Sequence, residues 1–172
     1  MNKTLIHSAL LCECQILINY YKLKQDKSVQ GFKLFYNEEI VIAVSGIGKE
    51  NTLSALDYVF KNFQIDKAIN IGTAGCKDKK IKIGTLFCTN KNLENIAYAT
   101  LSTFDIPIND PLKIKTTLID MEAIYFEEVC KKFIDNILIL KVVSDHLDIK
   151  IPKKSYIIEL MQNSFKQWKD LI

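Results

Sequence analysis

Arginine is absent from this chain of 172 residues, and its 23 basic side chains are all lysine. No bidentate guanidinium fork is therefore available to grip a phosphate or a carboxylate. Net charge is also small, +3, too mild to argue for nucleic acid or an anionic membrane as a partner. The lysines are scattered, and the densest stretch, KDKKIK at 77–82, reads as a solvated turn. Histidine occurs twice, and the five cysteines (12, 14, 76, 88, 130) form no CxxC pair. That excludes the usual structural zinc spacings, and neither a metal nor an organic cofactor is expected. The start, MNKTLIHSALLCE, has too short an apolar stretch for an export signal or a membrane span. We therefore expect a cytoplasmic chain with reduced thiols. Internal repeats, low-complexity tracts and Pro/Gly-rich linkers are missing too, which leaves one domain over residues 1–172.

What is present suits a globular fold. Apolar residues make up 48% and charged residues 25%, enough to bury a core without staples. Apolar runs predict strands at 5–11, 32–36, 40–44, 67–71, 85–89, 98–102 and 137–143. Apolar residues at helical spacing predict helices at 13–24, 50–63, 121–133 and 154–171. The second of these carries Leu53, Leu56, Val59, Phe60 and Phe63 on one face. Strands alternating with helices predict an α/β fold, with a single-layer central sheet, mixed but mostly parallel, flanked by helices. Ligands in such sheets bind beyond the carboxyl ends of the strands. That rule selects Cys12–Glu13, Ser45–Gly48, Gly72–Gly75, the turn near Ser102–Asp105, and Ser144–Asp145. These polar strand ends can converge on one crevice.

Each motif has a functional and a structural reading. SGIGKEN at 45–51 is a glycine turn entering a helix, either an anion or polar-ligand site or a turn that needs positive φ. It is no dinucleotide fingerprint, because the third glycine position is Asn51. It is no Walker loop either, since no GKS or GKT follows. GTAG at 72–75 is a tight turn closing a strand, or a place where Thr73 offers a hydroxyl. Glu13 is an acid or base in an apolar pocket, or an exposed first-turn glutamate. Asp145 is a reactive acid that Ser144 orients, or a turn-capping residue. His146 beside it makes no triad, for no G-x-S-x-G nucleophile is present. Asp120 and Glu122 flank Met121 where a helix begins.

Taken in order, ALLCE, SGIGK, INIGTAG, IDMEA and KVVSD resemble the nucleoside phosphorylase/nucleosidase superfamily. The resemblance is closest to methylthioadenosine/S-adenosylhomocysteine nucleosidases and runs from Ala9 to the last helix. It implies cleavage of the N-glycosidic bond of a purine nucleoside of the adenine type. By the resemblance, Asp145 is the general acid that protonates the purine, and Glu13 activates water. Glu122 binds ribose hydroxyls, and Met121 lies against the sugar. Ile47, Gly48, Thr73, Ala74 and Gly75 line the substrate, Ser144 supports Asp145, and Phe104 stacks on the base. Asp120 would cap the helix. The family's phosphorylases grip phosphate with arginines, which this chain lacks, so the resemblance favours hydrolysis over phosphorolysis. A purine nucleoside phosphorylase, and a relative that binds a nucleoside without turnover, are the alternatives. The departures are a chain shorter than is usual, trimmed at 84–102, and Lys141 where the family carries arginine. A homodimer is expected, with the helix at 53–63 at its interface.

Overall fold

The computed structural model describes residues 2–148 and 152–172. The chain begins with β1 (Lys3–Ser8), α1 (Leu11–Tyr20), β2 (Lys24–Asp26), β3 (Lys33–Tyr36) and β4 (Ile40–Val44). It continues with α2 (Lys49–Asn62), β5 (Ile65–Cys76), β6 (Leu86–Cys88), β7 (Ala97–Tyr98) and β8 (Leu101–Thr103). The last elements are β9 (Leu118–Asp120), α3 (Ala123–Cys130), β10 (Ile137–Asp145) and α4 (Lys154–Phe165). Two short 3-10 turns, Pro111–Lys113 and Lys169–Leu171, complete it.

The strands form one sheet in the order β2-β3-β4-β1-β5-β10-β6-β7, with β9 on β5 and β8 on β9. The central four, β4, β1, β5 and β10, are mutually parallel. Antiparallel β2, β3 and β6 and the short outer strands make the sheet mixed. The central strands are nearly continuous apolar runs, such as IVIAV and ILILKVV, because both faces are covered. On one face α1, α4 and the segment just after α4 bury Leu17, Ile18, Leu160, Met161 and Trp168. On the other, α2 and α3 bury Ala55, Leu56, Val59 and Phe126. Burying one such large aliphatic or aromatic side chain is worth about 1.5–3 kcal/mol. Trp168 is 1% exposed and packs edge-on against Phe165.

Several expected boundaries move. The first strand stops at Ser8 rather than at residue 11, and the helix starts at Leu11 rather than at Glu13, which keeps Glu13 in its first turn. GTAG is not a turn, because β5 stays extended through Cys76. Its extension is held by β10 on one side and β9 on the other. The inward face of α2 is Thr52, Ala55, Leu56 and Val59, with Leu53 and Phe60 half-buried. β2 and β9 are too short for an apolar period to announce them. The segment expected to be trimmed, 84–102, consists of β6, β7, the start of β8 and the turns between them.

Candidate active site

The carboxyl ends of β4, β1, β5 and β10 lead to the predicted glycines and to Glu13 and Asp145, and Glu122 follows β9. Between β4 and α2 the chain turns through Gly46 (φ +90°) and Gly48 (φ +92°). Side-chain-bearing residues are strained in that left-handed region, which explains glycine at the helix entry. Gly48 is the N-cap of α2, and its N–H donates to Glu122 Oε1 at 2.8 Å. The helix N-terminus thus holds an anion, and the anion is the protein's own carboxylate.

Glu13 is likewise held. Its Oε1 accepts from Thr73 N at 2.8 Å and from Thr73 Oγ1 at 2.9 Å. Its Oε2 accepts from Leu10 N at 2.9 Å, closing the helix N-terminus on itself. The residue is 4% exposed, which rules out the exposed first-turn reading. The carboxylate can come this close to β5 because residue 72 is glycine. A Cβ there would stand 3.1 Å from Glu13 Oε1. A carboxylate offers about four lone-pair sites, and three are taken here, leaving room for one more donor.

Asp145 ends β10, opposite Gly75 in the register. Its Oδ2 accepts from Ser144 Oγ at 2.7 Å, and its Oδ1 from Leu147 N at 2.9 Å and Asp148 N at 3.2 Å. Leu147 adopts φ +66° to supply that amide, a conformation that costs a non-glycine residue about 1–2 kcal/mol. Ser144 Oγ also lies 3.4 Å from Ala74 O. It can therefore donate there and accept a hydrogen bond from a protonated Asp145 carboxyl instead.

Asp145 and Ser144 open on a cavity of about 700 Å³ whose wall also includes Ile83, Asn109, Leu147 and Tyr156. That is the size of a small-molecule site. Glu13, Glu122, Met121, Ile47 and Phe104 do not line this cavity. The strip Thr73–Ala74–Gly75 connects the two regions, with Glu13 bonded to Thr73 and Asp145 Oδ1 3.3 Å from where a Gly75 Cβ would be. Two residues of extended strand cover about 7 Å, which is the backbone spacing between the position that holds Glu13 and the one beside Asp145. Met121 is half-buried at the end of β9, and Ile47 is 50% exposed on the glycine turn. Phe104 is half-buried just past β8, its N–H on Asp120 O at 2.9 Å.

Beneath these lies a buried polar layer of Lys141, Asp120, His7 and Asn70, of which His7 belongs to no motif. Lys141 Nζ meets Asp120 Oδ2 at 2.7 Å, with both side chains almost wholly buried. Asp120 also accepts from Thr103 Oγ1 at 2.6 Å and from Ala123 N at 2.9 Å. It therefore caps α3, as expected, and in addition carries a buried ion pair. Burial pushes the Glu122 carboxyl up to about 7, against the pull of nearby Lys141 and the Gly48 amide. Glu13 lies close enough to Glu122 to push in the same direction as burial. His7 and Asn70 are buried on β1 and β5. A lysine inside ILILKVV, a histidine inside KTLIHS and an asparagine inside AINIG were the available signals, since buried polar groups need partners. Among the described residues no group of three or more His, Cys, Asp or Glu side chains is arranged to hold a metal ion. No described helix is long and apolar enough to cross a membrane.

Comparison with known proteins bears on the family and the fold. Residues 9–112 match the model of the phosphorylase superfamily. No curated protein sequence matches the chain. Among solved structures, futalosine hydrolase of Helicobacter pylori strain 26695 superposes with a TM-score of 0.82 at 17% identity, over 99% of this chain and 97% of that one. The 5′-methylthioadenosine/S-adenosylhomocysteine nucleosidase of the same organism, bound to butyl-thio-DADMe-Immucillin-A, gives 0.79 at 17% identity, covering 99% and 97%. The Neisseria meningitidis nucleosidase, bound to methylthio-immucillin-A, gives 0.78 at 18% identity over the same shares. At such identities the likeness establishes the fold, an α/β fold with a mixed, mostly parallel sheet flanked by helices.

Proposed function

The chain belongs to the phosphorylase superfamily, and on that premise we propose that it hydrolyses the N-glycosidic bond of a purine nucleoside. One observation carries the reading. The donors that would hold a nucleophilic phosphate, Thr73 and the Gly48 amide, already serve the carboxylates of Glu13 and Glu122. A phosphate dianion beside these two carboxylates would meet like charge, whereas a water would find a base. With no arginine to offset that charge, water is the nucleophile.

In this mechanism the C1′–N9 bond breaks and its electron pair moves onto the purine. Asp145 delivers a proton to N7, so the base departs neutral, a step worth about 10²–10⁴ in rate. Ser144, able to donate to Ala74 O, accommodates Asp145 in its protonated form. Glu13 takes the proton from the water that attacks C1′, using the acceptor capacity that Thr73 and Leu10 leave free. Glu122 accepts from the ribose hydroxyls through its second oxygen. Met121 covers the apolar sugar face, and Phe104 and Ile47 border the base and sugar. Ala74 and Gly75 pass beneath the bond.

The substrate is of the adenine type, such as methylthioadenosine or S-adenosylhomocysteine. Incubation with these, with adenosine and with futalosine, each with and without phosphate, tests the proposal. Phosphate-independent release of free base from the adenine nucleosides is expected. Strictly phosphate-dependent release would make the chain a phosphorylase, and binding without release a non-catalytic relative. Release from futalosine alone would move the specificity to the 6-oxopurine class. We further propose a homodimer, for Phe60 stacks on Phe133, which is 60% exposed beside α2. A monomer by light scattering removes that part.

A further inference from the structure

Four adjacent strands each contribute one polar side chain to the sheet face covered by α2 and α3. They are Ser45 just past β4, His7 on β1, Asn70 on β5 and Lys141 on β10, all buried. Three of them form a directed chain. Ser45 Oγ donates to Gly46 O at 2.7 Å, so it accepts from His7 Nε2–H at 2.9 Å. His7 Nδ1 then accepts from Asn70 Nδ2–H at 2.8 Å. Both ring nitrogens are engaged, and the ring stacks on Phe126 with centroids 5.4 Å apart. Burial, and then Lys141, hold the imidazole neutral, its pKa lowered to about 3. Nothing in the hydrolytic mechanism uses this histidine. Packing alone does not call for it either, since an aliphatic residue would fill the same place without needing partners.

The chain ends on the turn that presents the Gly48 amide to Glu122. We infer that His7 is a positioning residue for the sugar site. Through Ser45 it locks the Ser45–Gly48 turn in the conformation that directs the Gly48 N–H at the Glu122 carboxylate. This rests on the assignment of Glu122 to the ribose. An amide hydrogen bond held from behind need not be reorganised when the substrate arrives. Its loss should therefore appear as weaker sugar binding rather than slower chemistry.

The direction of the chain makes the test specific. Gln places an amide N–H near the position of Nε2, whereas Asn reaches only the Nδ1 side. His7→Phe keeps the ring and loses both bonds. It should raise KM for the nucleoside about tenfold, the worth of one buried hydrogen bond, with kcat nearly unchanged. It should also remove hydrogen-exchange protection from the Gly48 amide in the ligand-free protein. His7→Gln should restore both, and His7→Asn neither. Ser45→Ala, a small change that the fold tolerates more readily, should copy His7→Phe, with the double variant no worse than either single one. Unchanged KM and unchanged Gly48 protection in His7→Phe or Ser45→Ala would overturn the inference. So would rescue by Asn rather than Gln. If the unaltered protein releases no base from any nucleoside, the functional proposal fails, while Gly48 protection still decides the role of His7.

Discussion

The Gly48 amide donates to Glu122 Oε1 at 2.8 Å across 74 positions of sequence. The positive end of α2 and the carboxylate at the start of α3 are thereby tied together. Thr73 does the same for Glu13, through its amide and its hydroxyl. Two acids that would repel each other are thus each held by their own donors. A site built this way has its acceptors oriented before any substrate arrives.

Removing the proposed acid should stop the chemistry without harming the fold. Asp145→Asn is expected to lower kcat by about 10²–10⁴ while the thermal midpoint moves little. Glu13→Gln should lose turnover to a similar extent and still bind nucleoside, as read by calorimetry. An Asp145→Asn protein with normal kcat would remove the acid from the mechanism.

Glu122 sets a pH dependence. Its folded pKa is raised, to about 7, so the carboxylate that accepts from ribose is present above that pH and lost below it. The value of kcat/KM should therefore rise with pH through about 7. In Glu122→Gln the rise should disappear and KM should stay high throughout. The same shift acts on stability in the opposite sense. The protonated form is favoured in the folded state, so this group adds stability as pH falls from about 7 towards its ordinary value of 4.5.

His7 works against it. Its folded pKa lies below the unfolded value, about 3 against 6.5, so its contribution is present above 6.5 and lost as pH falls towards 3. Each unit of pH within that window removes up to about 1.4 kcal/mol. The two groups oppose each other between 4.5 and 6.5, and below 4.5 only His7 remains. Denaturant midpoints measured from pH 7 to pH 3.5 should fall steeply at the acid end, and His7→Phe should flatten that fall. Equal slopes in the two proteins would show that other groups govern acid unfolding.

The Lys141–Asp120 pair is buried on both sides. Breaking it from one end leaves a carboxylate without its counter-ion in the core. Lys141→Met should destabilise the fold by about 3–5 kcal/mol. Adding Asp120→Asn should recover much of that loss, because the orphaned charge is removed. Chemical denaturation of the two variants checks both statements. Losses that simply add in the double variant would mean that the pair is not coupled.

Much of this molecule was legible along the chain. Near-continuous apolar runs such as IVIAV and ILILKVV marked the parallel core strands, because a strand covered on both faces has no polar alternation to keep. Helical spacing marked α2, α3 and α4, and the polar ends of the runs marked Glu13, Gly48 and Asp145 as places to look for a site. Tertiary structure decided the rest. Whether GTAG turns or stays extended depends on β9 and β10 pairing beside it, which no local pattern encodes. Whether Glu13 is exposed or buried depends on Thr73, 60 positions away. His7, Asn70 and Lys141 acquire meaning only when three strands lie side by side. A hydrogen bond between distant residues is a property of the packed sheet, and the one-dimensional pattern records only that a polar residue sits where an apolar one was expected.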